Sequence, residues 1–210
     1  KNMDITHAKG LMTALRNMGV DQYIGAQTQG PTLDGLKAVA MACTRCGLAR
    51  TRKTVVFGEG NPRADIVFVG EAPGEEEDNQ GRPFVGRAGK LLDQLIDRIG
   101  IKRSDVFICN VLKCRPPGNR DPEAPEIASC KDYLLTQLDI IRPRVICTLG
   151  RHAYNTLLEV DAPITRIRGK MTTFRGIPLL PTYHPSYLLR SQTRIPEAWE
   201  DMETLKNFVK

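Results

Sequence analysis

Four cysteines of this chain are spaced to bind a metal. Cys43 and Cys46 form a C-x-x-C pair, and Cys114 and Cys130 follow with fifteen residues between them, around the turn-rich stretch CRPPGNRDP. Four thiolates are the donor set of a structural zinc or of an iron–sulfur cluster, and spacing alone does not choose between the two. The other two of the six cysteines, Cys109 and Cys147, sit inside apolar runs and read as small core residues. No signal-peptide pattern opens the sequence, so metal ligation in a reducing, cytoplasmic compartment is expected, not disulfides.

Between the cysteine pairs lies a second group of chemistry-bearing residues. Gly70-Glu71-Ala72-Pro73-Gly74 is followed by Glu75, Glu76, Glu77 and Asp78, and then by a second glycine-rich stretch from Gly81 to Gly89. The pattern is neither GxxxxGK[ST] nor GxGxxG, so it argues against a nucleoside triphosphate or a dinucleotide. Five acids in one loop of a basic chain invite a role, although a solvated acidic loop is the plainer reading. Phe84, between Pro83 and Val85-Gly86, is placed either to stack on a flat ligand such as a base or to plug the core. Asn110 falls in an apolar run. Its amide must be hydrogen-bonded, either to the protein or to a ligand with an imide edge. His184 precedes Pro185 and Ser186 and can donate to an anion developing on a substrate, although a lone histidine is more often structural. His7 and His152 read as surface or packing residues.

These residues need a frame. A chain of 210 residues with 41% apolar and 26% charged residues has enough material for one packed domain. Residues 31–210 are read as that domain and residues 1–30 as an N-terminal extension with a peripheral helix. No apolar run is long enough to span a membrane. The net charge of +6 is spread over scattered clusters near turns, which suits a polyphosphate partner or, more plainly, a solvated face.

The pattern predicts a helix over 33–43 capped by Thr32, a strand over 64–72 and a helix over 85–101 ended by Gly100. It continues with a strand over 106–114, a helix over 125–143, a strand over 145–150 and a helix over 151–159. A strand over 177–187 and a helix over 197–210 close the chain. Consecutive apolar residues at Ile66–Val69 mark a strand covered on both faces. Alternation of strand and helix implies an α/β layered domain with a mostly parallel sheet, and ligands in such sheets bind at the carboxyl ends of the strands.

Together GEAPGEEED, GRPFVGRAG, NVLKCRPPGNRDP and HPS, with the cysteine pairs in place, resemble the family 4 uracil-DNA glycosylases from about residue 33 to 210. The resemblance implies a three-layer α/β/α sandwich around a central four-stranded parallel sheet. It implies a [4Fe–4S] cluster on Cys43, Cys46, Cys114 and Cys130. Phe84 would stack on an extruded uracil, Asn110 would read its edge, and Glu77 would lie beside it. Ala72, Gly74 and Ser186 complete the substrate-binding set, and His184 would stabilise the leaving base. Tyr187, Leu188, Leu189 and Arg190 resemble the wedge that fills the gap in the duplex. The implied partner is uracil-containing DNA, single- or double-stranded, met by a monomer, nucleoid-associated and away from membranes. Residues 1–30 are a candidate segment for contact with a sliding clamp.

Ala72 departs from related families that place a polar or acidic residue there to hold water, so the water is assigned to Glu71 or the backbone. Residues 111–130 contain no histidine, so turnover is expected and not a covalent adduct. A broader glycosylase acting on hypoxanthine and a non-catalytic, metal-stabilised nucleic-acid binder are the alternatives.

Overall fold

The computed structural model describes residues 32–209. The expected helix of residues 1–20 and the rest of the extension lie outside the described residues. In chain order the elements are α1 (Leu33–Met41), β1 (Glu59–Gly60), β2 (Ile66–Gly70), α2 (Glu75–Gln80), α3 (Arg87–Arg98) and β3 (Phe107–Asn110). They continue with α4 (Ala124–Ile141), β4 (Val145–Leu149), α5 (Arg151–Leu158), α6 (Ile164–Ile167), β5 (Thr172–Phe174), β6 (Ile177–Thr182), α7 (Pro185–Arg190) and α8 (Ile195–Lys206).

The strands form one sheet in the order β1-β3-β2-β4-β6-β5. The inner four run parallel, as the alternation of strand and helix requires. The sheet as a whole is six-stranded and mixed, because β1 and β5 add antiparallel edges. These edges carry Glu-Gly and Thr-Thr-Phe, too short and too polar to show a strand period in the sequence.

The pleat of β2 sorts its side chains into two cores. Val67 and Val69 pack with Leu36 and Ala40 of α1 and with Leu134 and Leu138 of α4. Ile66 and Phe68 pack on the opposite face with Leu92, Leu95 and Ile96 of α3, Leu188 of α7 and Met202 of α8. Each such buried aliphatic side chain contributes about 1.5–3 kcal/mol, which is why the strand is apolar at every position.

Local signals set the helix ends. Thr32 Oγ1 accepts from the Gly35 N–H at 3.2 Å and opens α1. Gly100, at φ +77°, turns the chain away from α3. The acidic run expected to be a loop is the short helix α2. Its acids fall in the first turn, where they favour the positive end of the helix, and Glu77 accepts the Gly74 N–H at 3.1 Å.

Candidate active site

Because β2, β3, β4 and β6 are parallel, their carboxyl ends open at one edge of the sheet. The chain leaves them through Glu71–Gly74, Val111, Gly150–Arg151 and Tyr183–His184. A cavity of about 540 Å³ lies there, lined among others by Glu71, Phe84, Asn110, His152 and His184.

Gly70 is what lets two of these side chains converge. It pairs in register with Asn110 on the neighbouring strand. A Cβ at Gly70 would stand 2.2 Å from Asn110 Oδ1 and 2.7 Å from Phe84 Cζ. Phe84 reaches this point with a left-handed backbone, φ +50°. Arg103 holds it there by donating to the Pro83 and Phe84 carbonyls. Arg103 is in turn fixed by Glu59 of β1 at 2.8 Å and by Asp93 of α3 at 2.7 Å. The short edge strand thus anchors the aromatic side chain. The Phe84 ring lies 5.7 Å from the His184 ring, tilted by 37°.

Asn110 is 1% exposed, and its Oδ1 has no hydrogen-bond partner. Buried amide oxygens are nearly always paired, so this one is set up for a donor that comes from outside the protein.

His184 caps α7. Its Nδ1 accepts from the Ser186 N–H at 3.1 Å and lies 2.7 Å from Ser186 Oγ. A ring nitrogen that accepts a backbone N–H carries no proton, so the proton of the neutral ring sits on Nε2. Burial first, and then the nearby Arg190 charge, push its pKa down to about 4. His184 is therefore a neutral Nε2–H donor at physiological pH. Ser186 lines the cavity, but both its N–H and its hydroxyl are engaged in orienting this ring.

Glu77 also lines the cavity, with its carboxylate turned to the backbone. One oxygen accepts from Gly74 at 3.1 Å, and the other accepts from Val85 and Gly86, each at 2.9 Å. It staples the loop after β2 to the loop that carries Phe84. Behind it Asp78 ties α2 to the segment before β1, accepting from the Lys53 and Thr54 N–H groups.

His152, expected at the surface or in packing, is a cavity residue. Its Nε2 lies 3.6 Å from Glu71 Oε2 and 3.7 Å from Asp121 Oδ2. Ligating atoms of the three side chains lie within 4.8 Å of one another, the geometry of a shared proton or cation. Burial pushes the Glu71 carboxyl above its ordinary range. His152 and Arg151 pull it back, and Asp121 adds to the rise. The place of His152 just past the end of β4, as Glu71 lies just past β2, is the one sequence signal that points to the site.

The expected wedge needs one correction. Leu188 is fully buried among the side chains of α3 and α8, because the helical turn of α7 points it inward. Leu189 is half-buried, and Arg190 is exposed at the cavity rim.

Cys43, Cys46, Cys114 and Cys130 line a second, small cavity together with Arg45, Arg52, Lys113 and Tyr133. Arg52 donates to Cys114 Sγ at 3.4 Å, and the Lys113 N–H donates to Cys130 Sγ at 3.2 Å. Arg45 stacks 4.5 Å over Tyr133, with its Nε and Nη2 buried and unpartnered. Burial pushes the Cys130 thiol up to about 12 and also raises Cys114. Burial acts the same way on Cys43, but hydrogen bonds with Tyr133 and Arg45 outweigh it and leave that thiol lowered. Four soft donors ringed by cations fit an anionic metal–thiolate group. Cys109 and Cys147 are fully buried in the two separate cores, as expected.

A family profile described as "Uracil DNA glycosylase superfamily" matches residues 57–203. The chain belongs to that superfamily. It is 51% identical over 174 residues to the "Type-4 uracil-DNA glycosylase" of Thermotoga maritima, covering 80% of this chain and 90% of the relative. The protein of the same name from Sulfurisphaera tokodaii is 50% identical over 186 residues, 84% of each chain. A "Type-5 uracil-DNA glycosylase" of Pyrobaculum aerophilum is more distant, 31% identical over 61% of this chain and 64% of its own. The superfamily profile spans the strands and loops that build the cavity, from Phe57 through Arg190.

Proposed function

We infer that this glycosylase-superfamily chain acts in DNA repair, extruding uracil from DNA and hydrolysing its N-glycosidic bond to leave an abasic site. The observation that carries this reading is the facing pair of side chains in one cavity: the orphan amide oxygen of Asn110 and the neutral Nε2–H of His184. Uracil offers a matching edge, with an N3–H donor between two carbonyl acceptors. Asn110 accepts from N3–H and donates to O4, while Phe84 covers the ring. A base inside a duplex is out of reach, and extruding it costs a few kcal/mol, least where pairing is already weak.

As the C1′–N1 bond breaks, its electron pair stays with uracil and the negative charge spreads to O2. His184 Nε2–H is aimed at that charge, and such a donor contributes about 3 kcal/mol. A neutral imidazole serves here because it stabilises the anion without first having to lose or gain a proton. The sugar is left electron-poor, and the neighbouring DNA phosphates offset that charge. Glu71 holds the water that adds to C1′, and its carboxylate, or solvent behind it, takes the released proton. Ala72 offers no polar group, so the reaction is largely dissociative with little base catalysis. Arg190 at the rim, with Leu189 beside it in α7, fills the space that the base vacates.

Cys43, Cys46, Cys114 and Cys130 would hold a [4Fe–4S] cluster, a reading supported by their shared cavity and its surrounding cations. Such a cluster would tie the segment before β1 to the loop after β3 and to α4, outside the bond-cleavage chemistry. The protein works as a monomer. No helix among the described residues is long and apolar enough to cross a membrane.

The test is base release from an oligonucleotide carrying one uracil, beside matched thymine and hypoxanthine substrates. Release of uracil alone, with strand cleavage only after alkali, is expected. Absence of release by brown, cluster-loaded protein would leave a nucleic-acid binder.

A further inference from the structure

Lys113 is 2% exposed, and the chemistry above does not use it. Its Nζ donates to the Asn110 carbonyl at 2.7 Å and to Gln137 Oε1 at 2.6 Å. The Gln137 amide is oriented by its own Nε2, which donates to the Phe57 carbonyl at 2.8 Å. Both Lys113 contacts are therefore to neutral acceptors. Among the described residues no carboxylate pairs with this ammonium. A lysine is almost never fully buried without a counter-charge, because desolvating the cation is costly.

The missing counter-charge lies next door. The Lys113 backbone N–H donates to Cys130 Sγ, and Cys114 is its chain neighbour. Arg45 and Arg52 also face the four cysteines; both are half-buried as residues, although Arg45 Nε and Nη2 are themselves buried, and Arg45 Nη1 has a carboxylate neighbour, Asp132, at 3.7 Å. Lys113 is the cation that faces the site from the dry interior. One residue thus touches a ligand sulfur with its backbone and the end of the Asn110 strand with its side chain.

We propose that Lys113 is the internal counter-cation of the four-cysteine cluster, and that it ties the charge of that site to the strand end that presents Asn110. The proposal rests on the cluster reading above. Adding an electron makes the cluster more negative, so a buried cation beside it favours the reduced form. Lys113→Met keeps the length of the side chain and removes its charge, whereas Lys113→Arg keeps the charge.

The experiment uses the full cluster-loaded chain. Iron and sulfide analysis and the visible absorbance of the wild type come first, followed by redox titration of wild type, K113M and K113R. K113M is expected to show at least a tenfold shift in the one-electron equilibrium toward the oxidised form, a drop of about 59 mV or more. It is also expected to lose iron faster to a chelator and to exchange amide hydrogens faster over residues 107–112. K113R should stay near the wild type in all three. A brown, folded K113M with unchanged potential and chelator resistance overturns the proposal and leaves the cluster reading intact. If K113M takes up no cluster, loading of K113R supports the proposal, and failure of both variants overturns it, since shape and not charge would then be the requirement. A colourless, zinc-loaded wild type overturns the cluster reading, and this proposal with it.

Discussion

Glu77→Gln separates a loop-stapling carboxylate from one that addresses the base. Glu77 accepts three backbone N–H groups, from Gly74, Val85 and Gly86. In glutamine one end of the carboxamide becomes a donor. If its oxygen keeps Val85 and Gly86, its NH₂ faces the Gly74 N–H, donor against donor. A hydrogen bond to a charged group contributes about 1.5–3 kcal/mol and a neutral one about half of that. One lost and two weakened contacts at this buried position sum to about 3 kcal/mol at the low end of that range. For a domain of this size each kcal/mol moves Tm by about 2–4 °C, so E77Q should melt about 6–12 °C lower. Activity should fall as well, with KM for uracil-DNA rising, because the two loops that carry Ala72 and Phe84 come apart. Thermal melting and steady-state base release on the same preparations read both effects. A variant that melts within about 2 °C of the wild type while losing activity would refute the staple and return Glu77 to the base.

Further outcomes follow from the geometry. His184→Ala should slow single-turnover uracil release about 10²–10³-fold through loss of the donor, while Glu71→Gln should cost far less; equal losses would sink the dissociative reading. Asn110→Asp cannot donate to O4 and should reduce uracil release by about 1–3 kcal/mol, roughly ten- to hundredfold, measured against the same oligonucleotide. The pH profile of base release should show no histidine titration near 6.5, because His184 stays neutral down to about 4, and only a shallow step above the usual carboxylate range, where Glu71 protonates. The depressed His184 pKa contributes stability that is fully present above about pH 6.5 and is lost as pH falls toward 4, which denaturant titrations across that window would read. Leu188→Ala should destabilise the fold by about 2–5 kcal/mol, whereas Leu189→Ala should leave melting unchanged and slow release from duplex more than from single-stranded DNA.

The parallel core was readable because its strands are apolar on consecutive positions and each is followed by a helix stripe. The edges were not, since Glu59–Gly60 and Thr172–Phe174 carry no period, and Arg103, which depends on Glu59, was hidden with them. Asn110 and His184 could be singled out by type and place. Their roles could not be sharpened until the orphan Oδ1 and the Ser186 N–H on Nδ1 were visible. His152 was passed over because its partners, Glu71 and Asp121, are far away in the chain. Leu188 reads as part of a wedge because the four residues after HPS do not reveal which way a short helix turns.

The two loops bound by Glu77, the Phe84 backbone held by Arg103 and the close approach at Gly70 make a slot whose shape is set when the chain folds. A site assembled by these contacts needs little rearrangement to receive a base, and the larger displacement falls to the DNA. The pace of repair should then depend on how readily a uracil leaves its helix. Uracils opposite guanine, near ends or in single strands present themselves often, and those in stable pairs with adenine do so seldom. A rigid receptor of this kind sorts lesions by the looseness of their surroundings before it reads a single atom of the base.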